Sequence, residues 1–169
     1  GNPMANMATK KLTGKAVGTH TTAQIKGIAS GTVVLTLDGA LPVEFLSPGD
    51  RIITREGMRV VREVNVHRYS GPAIRVSAGA LGHDRPEQDL VLPTETMILL
   101  RDWRAQALFG KAQATVPISR IADGEFIAHT SALSMRLYDL RFDRPQVVYA
   151  EGLELTCDAV ETEMQIATE

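Results

Sequence analysis

An all-β domain is the fold class this sequence predicts, and three observations predict it. From Ile25 onward, short apolar runs alternate with Gly, Pro and Asp punctuation at intervals of about ten residues, the rhythm of barrels and sandwiches. Hydrophobic residues make up 44% of the chain but aromatic ones only 5%, so Val, Ile, Leu and Ala carry the packing, which suits a pleated, β-branched core. Only one stretch combines a start signal and a stop signal for a helix. A chain of 169 residues fits one domain that can bury a core without disulfides or metal.

In chain order, residues 1–24 are rich in Thr, Lys, Asn, Gly and Ala without sustained periodicity, the composition of a flexible tail. The domain is expected over 25–157. Its first strand is read at 32–37, closed by the Asp38-Gly39 turn signal, and is followed by a short apolar turn of helix at 42–46. A second turn at Pro48-Gly49 leads to a strand at 51–54, closed by Glu56-Gly57. Further strands are expected at 58–67, 73–78, 90–92, 97–101, 115–117, 126–128, 135–142 and 147–150, each an apolar run between breakers. Asp102 can cap a helix that Gly110 ends, which gives about two turns over 102–109. A helix that short needs packing to persist, and Trp103 and Phe109 are expected to supply it from the core. The acidic stretch 158–169, with Glu161, Glu163 and Glu169, reads equally as a fraying helix or as disorder.

Charge and composition exclude several function classes. Eighteen Lys and Arg against 20 Asp and Glu give a formal charge of -2, so no bulk attraction to nucleic acid or anionic membrane is expected, and no local basic patch stands out. No run is long enough for a membrane span, and residues 1–26 lack the apolar core of a signal peptide, so the expected location is cytoplasmic or exported without an N-terminal signal. The single Cys157 rules out an intramolecular disulfide. His20, His67, His83 and His129 show no ligand spacing, so no metal site and no cofactor are expected. The partner is left open between a protein and a small ligand, and the oligomeric state is not set by the sequence.

Four segments, in order, carry a resemblance. The first is residues 27–57, GIASGTVVLTLDGALPVEFLSPGDRIITREG. The second runs Ile74-Arg75-Val76-Ser77-Ala78-Gly79 and on through Asp89-Leu90-Val91-Leu92-Pro93. The third runs Leu100-Arg101-Asp102-Trp103-Arg104-Ala105 to Leu108-Phe109-Gly110, Val116-Pro117 and Asp123-Gly124. The fourth is Tyr138-Asp139-Leu140-Arg141-Phe142-Asp143-Arg144 with Val147-Val148-Tyr149-Ala150-Glu151-Gly152. Together they resemble the Hint modules shared by inteins and hedgehog autoprocessing domains, and their bacterial relatives, over roughly Ile25 to Cys157. The resemblance implies a horseshoe of bent strands that brings the first, central and last segments onto one peptide bond.

The resemblance also implies a chemistry. A Cys or Ser attacks the carbonyl before it, a central His protonates the leaving nitrogen, a nearby Thr holds the amide, and a second nucleophile then takes the acyl group. Mapped onto this sequence, the nucleophile's place, before the Gly31-Thr32 pair, is Gly27. The central Thr-x-x-His falls on Leu92-Pro93-Thr94-Glu95, so Leu92 stands for the threonine and Glu95 for the histidine. The closing His-Asn falls on Thr156-Cys157, and a frequent Asp-Arg-His-Glu falls on Asp143-Arg144-Pro145-Gln146. A leucine donates no hydrogen bond and an ionised glutamate is a poor acid. The expectation is a Hint domain with its catalytic residues replaced, used as a binding or structural module. Two alternatives stay open: autoprocessing through substitute groups such as Ser30, Glu95 or Cys157, and a small-ligand pocket in the old cleft.

Overall fold

The computed structural model describes residues 26–161. It is built from antiparallel strands, with a single α-helix among the described residues, as the composition and punctuation predict. The strands are β1 (Ile28–Ala29), β2 (Val33–Thr36), β3 (Gly39–Pro42), β4 (Arg51–Thr54), β5 (Gly57–Val60), β6 (Glu63–Val76), β7 (Leu90–Pro93), β8 (Met97–Leu100), β9 (Ala114–Pro117), β10 (Ile127–Arg141), β11 (Gln146–Ala150) and β12 (Leu153–Cys157). Short 3-10 turns follow β3 at Val43–Phe45 and β9 at Ile118–Ile121.

Two sheets form the body. One has the order β1-β10-β6-β7. The other runs β3-β2-β4-β11-β12-β8-β9, with β5 paired to β4. Alternation explains why these segments pair as they do. In β4, Ile52 and Thr54 point inward while Arg51 faces solvent, the period-2 pattern of a strand with one buried face. Val34, Ile52, Ile74, Leu92, Ile98 and Leu155 lie in one continuous apolar core. A small satellite cluster gathers Ala29, Tyr69 and Leu137.

The helix α1 (Trp103–Phe109) has the caps its sequence signals. The Asp102 carboxylate accepts the Arg104 N–H at 3.0 Å, and Gly110 takes the left-handed conformation that ends the helix. Phe109 packs against the core as expected, partly buried, but Trp103 does not. Ala105 is the buried residue of α1, whereas Trp103 is 69% exposed, with Arg104 lying over its ring. A two-turn helix tied at both ends by caps and by its flanking strands does not need its largest side chain in the core.

The expected strands at 58–67 and 73–78 are divided differently. β5 stops at Val60, and β6 then runs unbroken through Gly71-Pro72. Likewise 126–128 and 135–142 belong to the single strand β10. Pro72 is tolerated mid-strand because its partner β10 shifts register between Ala132 and Met135, one residue beyond the Ser131 it faces. β1, β3 and β12 have no counterpart among the expected strands. Pairing also continues beyond Cys157: Phe142 N–H donates to the Asp158 carbonyl and Val160 N–H to the Phe142 carbonyl. The stretch 1–24 and the end of the acidic stretch, 162–169, lie outside the described residues.

Candidate functional site

Three connections converge on one cleft. β1 pairs with β10 in the register Ile28↔Tyr138, which lays Gly27 beside the Tyr138-Asp139 main chain. The turn between β7 and β8 is closed by Thr96, whose N–H and hydroxyl both donate to the Pro93 carbonyl at 3.0 and 2.8 Å, and Glu95 sits in that turn. β12 pairs with β8 through Leu155↔Ile98, which brings Thr156 and Cys157 to the same end. Lys26, Gly27, Glu95, Asp139, Thr156 and Cys157 line the resulting cleft, a recess of about 50 Å³.

The described residues singled out from the sequence can now be placed, while His20 lies outside the described residues. Gly27, Glu95, Thr156 and Cys157 share the cleft. Leu92 does not: it is fully buried in β7 opposite Ile74, so a core side chain occupies the place mapped to the family's threonine. Ser30 faces a different groove, with Gln88, Asp89 and Arg136. Among the described histidines, His67 and His129 are strand residues opposite Leu137 and Ile74. No group of three or more metal-type side chains gathers among the described residues.

The backbone at Gly27 is specific. Its φ is +145°, and a Cβ built there would stand 2.8 Å from Leu137 Cβ and about 3.0 Å from the Tyr138 main-chain nitrogen. The Tyr138 nitrogen is main chain and the Leu137 Cβ is attached directly to the main chain, both in a strand held by the β1–β10 pairing, so neither is the movable end of a side chain. An L-residue is therefore disfavoured at this position both by conformation and by space.

Charge in the cleft is paired across its walls. Lys26 Nζ lies 2.7 Å from Asp158 Oδ2. Asp139 is buried, and its Oδ2 accepts from Arg141 Nε at 3.0 Å; Arg141 also donates to the Ala159 carbonyl at 3.1 Å. Burial pushes the Cys157 thiol up to about 12, and the Asp139 and Asp158 carboxylates push in the same direction against a smaller opposing effect of Arg141. At neutral pH this sulfur is a protonated thiol, a weak nucleophile. Glu95 is exposed at the mouth and accepts no hydrogen bond from the described residues.

Lys26, Asp139 and Asp158 are cleft residues that the sequence reading did not single out. Asp139 carried a signal: it is an acid between apolar neighbours in Leu137-Tyr138-Asp139-Leu140, and a carboxylate in such a strand is buried only when paired.

The Hint-domain family model matches residues 27–157. No curated protein matches the chain by sequence. Among solved structures, a bacterial intein-like domain from Clostridium thermocellum superposes with a TM-score of 0.57 at 14% identity, covering 80% of this chain and 99% of that one. The Msm DnaB1 intein splicing domain bound with zinc superposes with a TM-score of 0.51 at 12% identity, covering 78% and 99%. At such identities the likeness is one of fold.

Proposed function

The chain belongs to the Hint-domain family, and on that premise we propose that it is a degenerate member, without self-splicing or self-cleaving activity, that serves as a folded binding or structural module. The reading rests on Gly27. The family's first step needs a side-chain nucleophile beside the carbonyl it attacks, and this position has neither the atoms nor the room for one. The other mapped positions agree. Leu92 is a core residue, Glu95 is a solvent-facing carboxylate, and Cys157 is a protonated thiol at the far end of the domain sequence. Losing one group of a concerted set already costs orders of magnitude in rate.

Self-cleavage through substitute groups is the competing reading, and Ser30 and Cys157 both argue against it. Ser30 lies on another groove, and the Cys157 sulfur is not ionised near neutral pH. The test fuses a short partner before Lys26 and follows intact mass with and without a thiol or hydroxylamine. The expected result is an intact chain under both conditions. A fragment or adduct mapping to the Lys26–Gly27 bond would overturn the proposal. In the same assay Gly27→Cys with Glu95→His is expected to stay uncleaved, because restoring the two side chains does not restore the space at residue 27.

A further inference from the structure

At the opposite end of the β8–β12 pair, about 13 Å along the strand from Cys157, lies a second recess of about 160 Å³. Leu81, Ile98 and Leu153 form its apolar wall, and Arg85, Arg101 and Glu154 supply its polar groups. Two arginines, Arg85 and Arg101, and two acids, Asp102 and Glu154, line it, and Arg55 and Arg104 pair with those acids from outside the lining, which leaves positive charge in surplus. Glu154, only 6% exposed, accepts from Arg101 Nε at 3.1 Å and Nη2 at 2.7 Å, with Arg55 at 3.4 Å on its other side. Asp102, at the rim, is held by Arg104 at 2.6 Å. Each carboxylate here therefore has its own guanidinium.

Arg85 has no carboxylate partner among the described residues. Its guanidinium donates only to the Gly152 and Leu81 carbonyls, at 3.4 and 3.3 Å, the long end of the hydrogen-bond range. Its stem lies directly on the β11–β12 turn, where a Cβ on Gly152 would come 2.9 Å from Arg85 Cγ. The absence of a side chain at residue 152 is thus what lets Arg85 cross the turn. A partly buried guanidinium without a counter-ion is costly, and it is the group best shaped for a planar or tetrahedral oxyanion. Arg101 leaves Nη1 unused by Glu154.

We propose that this recess is an anion site, in which Arg85 and the free edge of Arg101 grip a carboxylate or phosphate group. A water molecule takes roughly 30 Å³ in the liquid, so the space admits such a group with a short apolar stem against Leu81 and Leu153. The site is separate from the cleft, and its test is independent of whether the domain cleaves itself.

The full chain is titrated with inorganic phosphate and, separately, with acetate, at constant ionic strength with chloride as the balancing anion. Binding is followed by NMR shifts of the Arg101 and Gly152 amides. Saturable shifts at these positions are expected, and the tighter of the two anions identifies the oxyanion class. Arg85→Gln is expected to weaken binding by about tenfold or more, as loss of a charged hydrogen-bond donor does. Arg85→Lys keeps the charge without the fork and is expected to fall between. Absence of saturable shifts with either anion on the wild-type chain overturns the proposal, whatever the variants do. So does unchanged affinity in a folded Arg85→Gln.

Discussion

Gly27→Ala puts a single methyl group into the close approach between the residue before β1 and strand β10. Two costs add. Holding an L-residue at φ +145° is a backbone strain of about 1–3 kcal/mol. Forcing a Cβ to within 2.8 Å of Leu137 Cβ and about 3.0 Å of the Tyr138 nitrogen is overpacking against a paired strand, about 1–3 kcal/mol more. The expected loss is therefore about 2–6 kcal/mol, a large share of the stability of an ordinary domain. Gly31→Ala is the matched control. Residue 31 also has a positive φ, +90°, but nothing lies within 4 Å of its Cβ direction, so it carries the strain without the clash. Urea unfolding of both variants, fitted for free energy and slope, reads the difference directly. If Gly27→Ala costs no more than Gly31→Ala, the space at residue 27 is not what excludes a side chain, and the argument from that position collapses.

The remaining predictions concern the thiol, the buried acid and the exposed indole. Because burial raises the Cys157 pKa from its ordinary 9.0 to about 12, its contribution is fully present below about pH 9. It is lost as pH rises toward 12, with a slope of up to about 1.4 kcal/mol per pH unit that Cys157→Ala should remove. A thiol-specific reagent at pH 8 should accordingly label the native chain far more slowly than the urea-unfolded one, and equal rates would contradict the burial. Glu154→Gln leaves Arg101 and Arg55 without their shared carboxylate and is expected to cost about 1–3 kcal/mol in the same unfolding assay. Trp103→Ala, by contrast, should change stability by less than about 1 kcal/mol, since the ring is solvent-facing; a larger loss would return it to the core.

Much of the fold was legible in the sequence because turns and alternation are local. The Asp38-Gly39 signal marks the turn that ends β2, although the strand it returns into, β3, was not expected, and Asp102 and Gly110 bracket α1. The long strands were not legible, because Gly71-Pro72 reads as a break and the register shift that absorbs it lies sixty residues away in β10, between Ala132 and Met135. The short strand β1 is likewise defined by its partner rather than by its own two residues. At the cleft, the positions of Gly27, Glu95, Thr156 and Cys157 came from matching segment order. That Leu92 belongs to the core, and that Trp103 does not, are facts of long-range packing. The steric closure at Gly27 could not be read at all, since it depends on Leu137 and Tyr138, far along the chain.

The Lys26–Asp158 ion pair has a topological meaning. It joins two residues 132 positions apart in sequence, so the described stretch from Lys26 to Asp158 behaves as a loop whose two ends are already held together. Grafting it into a surface loop of another protein would hardly lengthen the gap that the host must close. The entropic cost of closing a loop depends on bringing its ends together, and here the inserted fold has already done so. A host receiving residues 26–161 at an exposed loop should keep its own stability to within about 1 kcal/mol, as domains with adjacent termini allow.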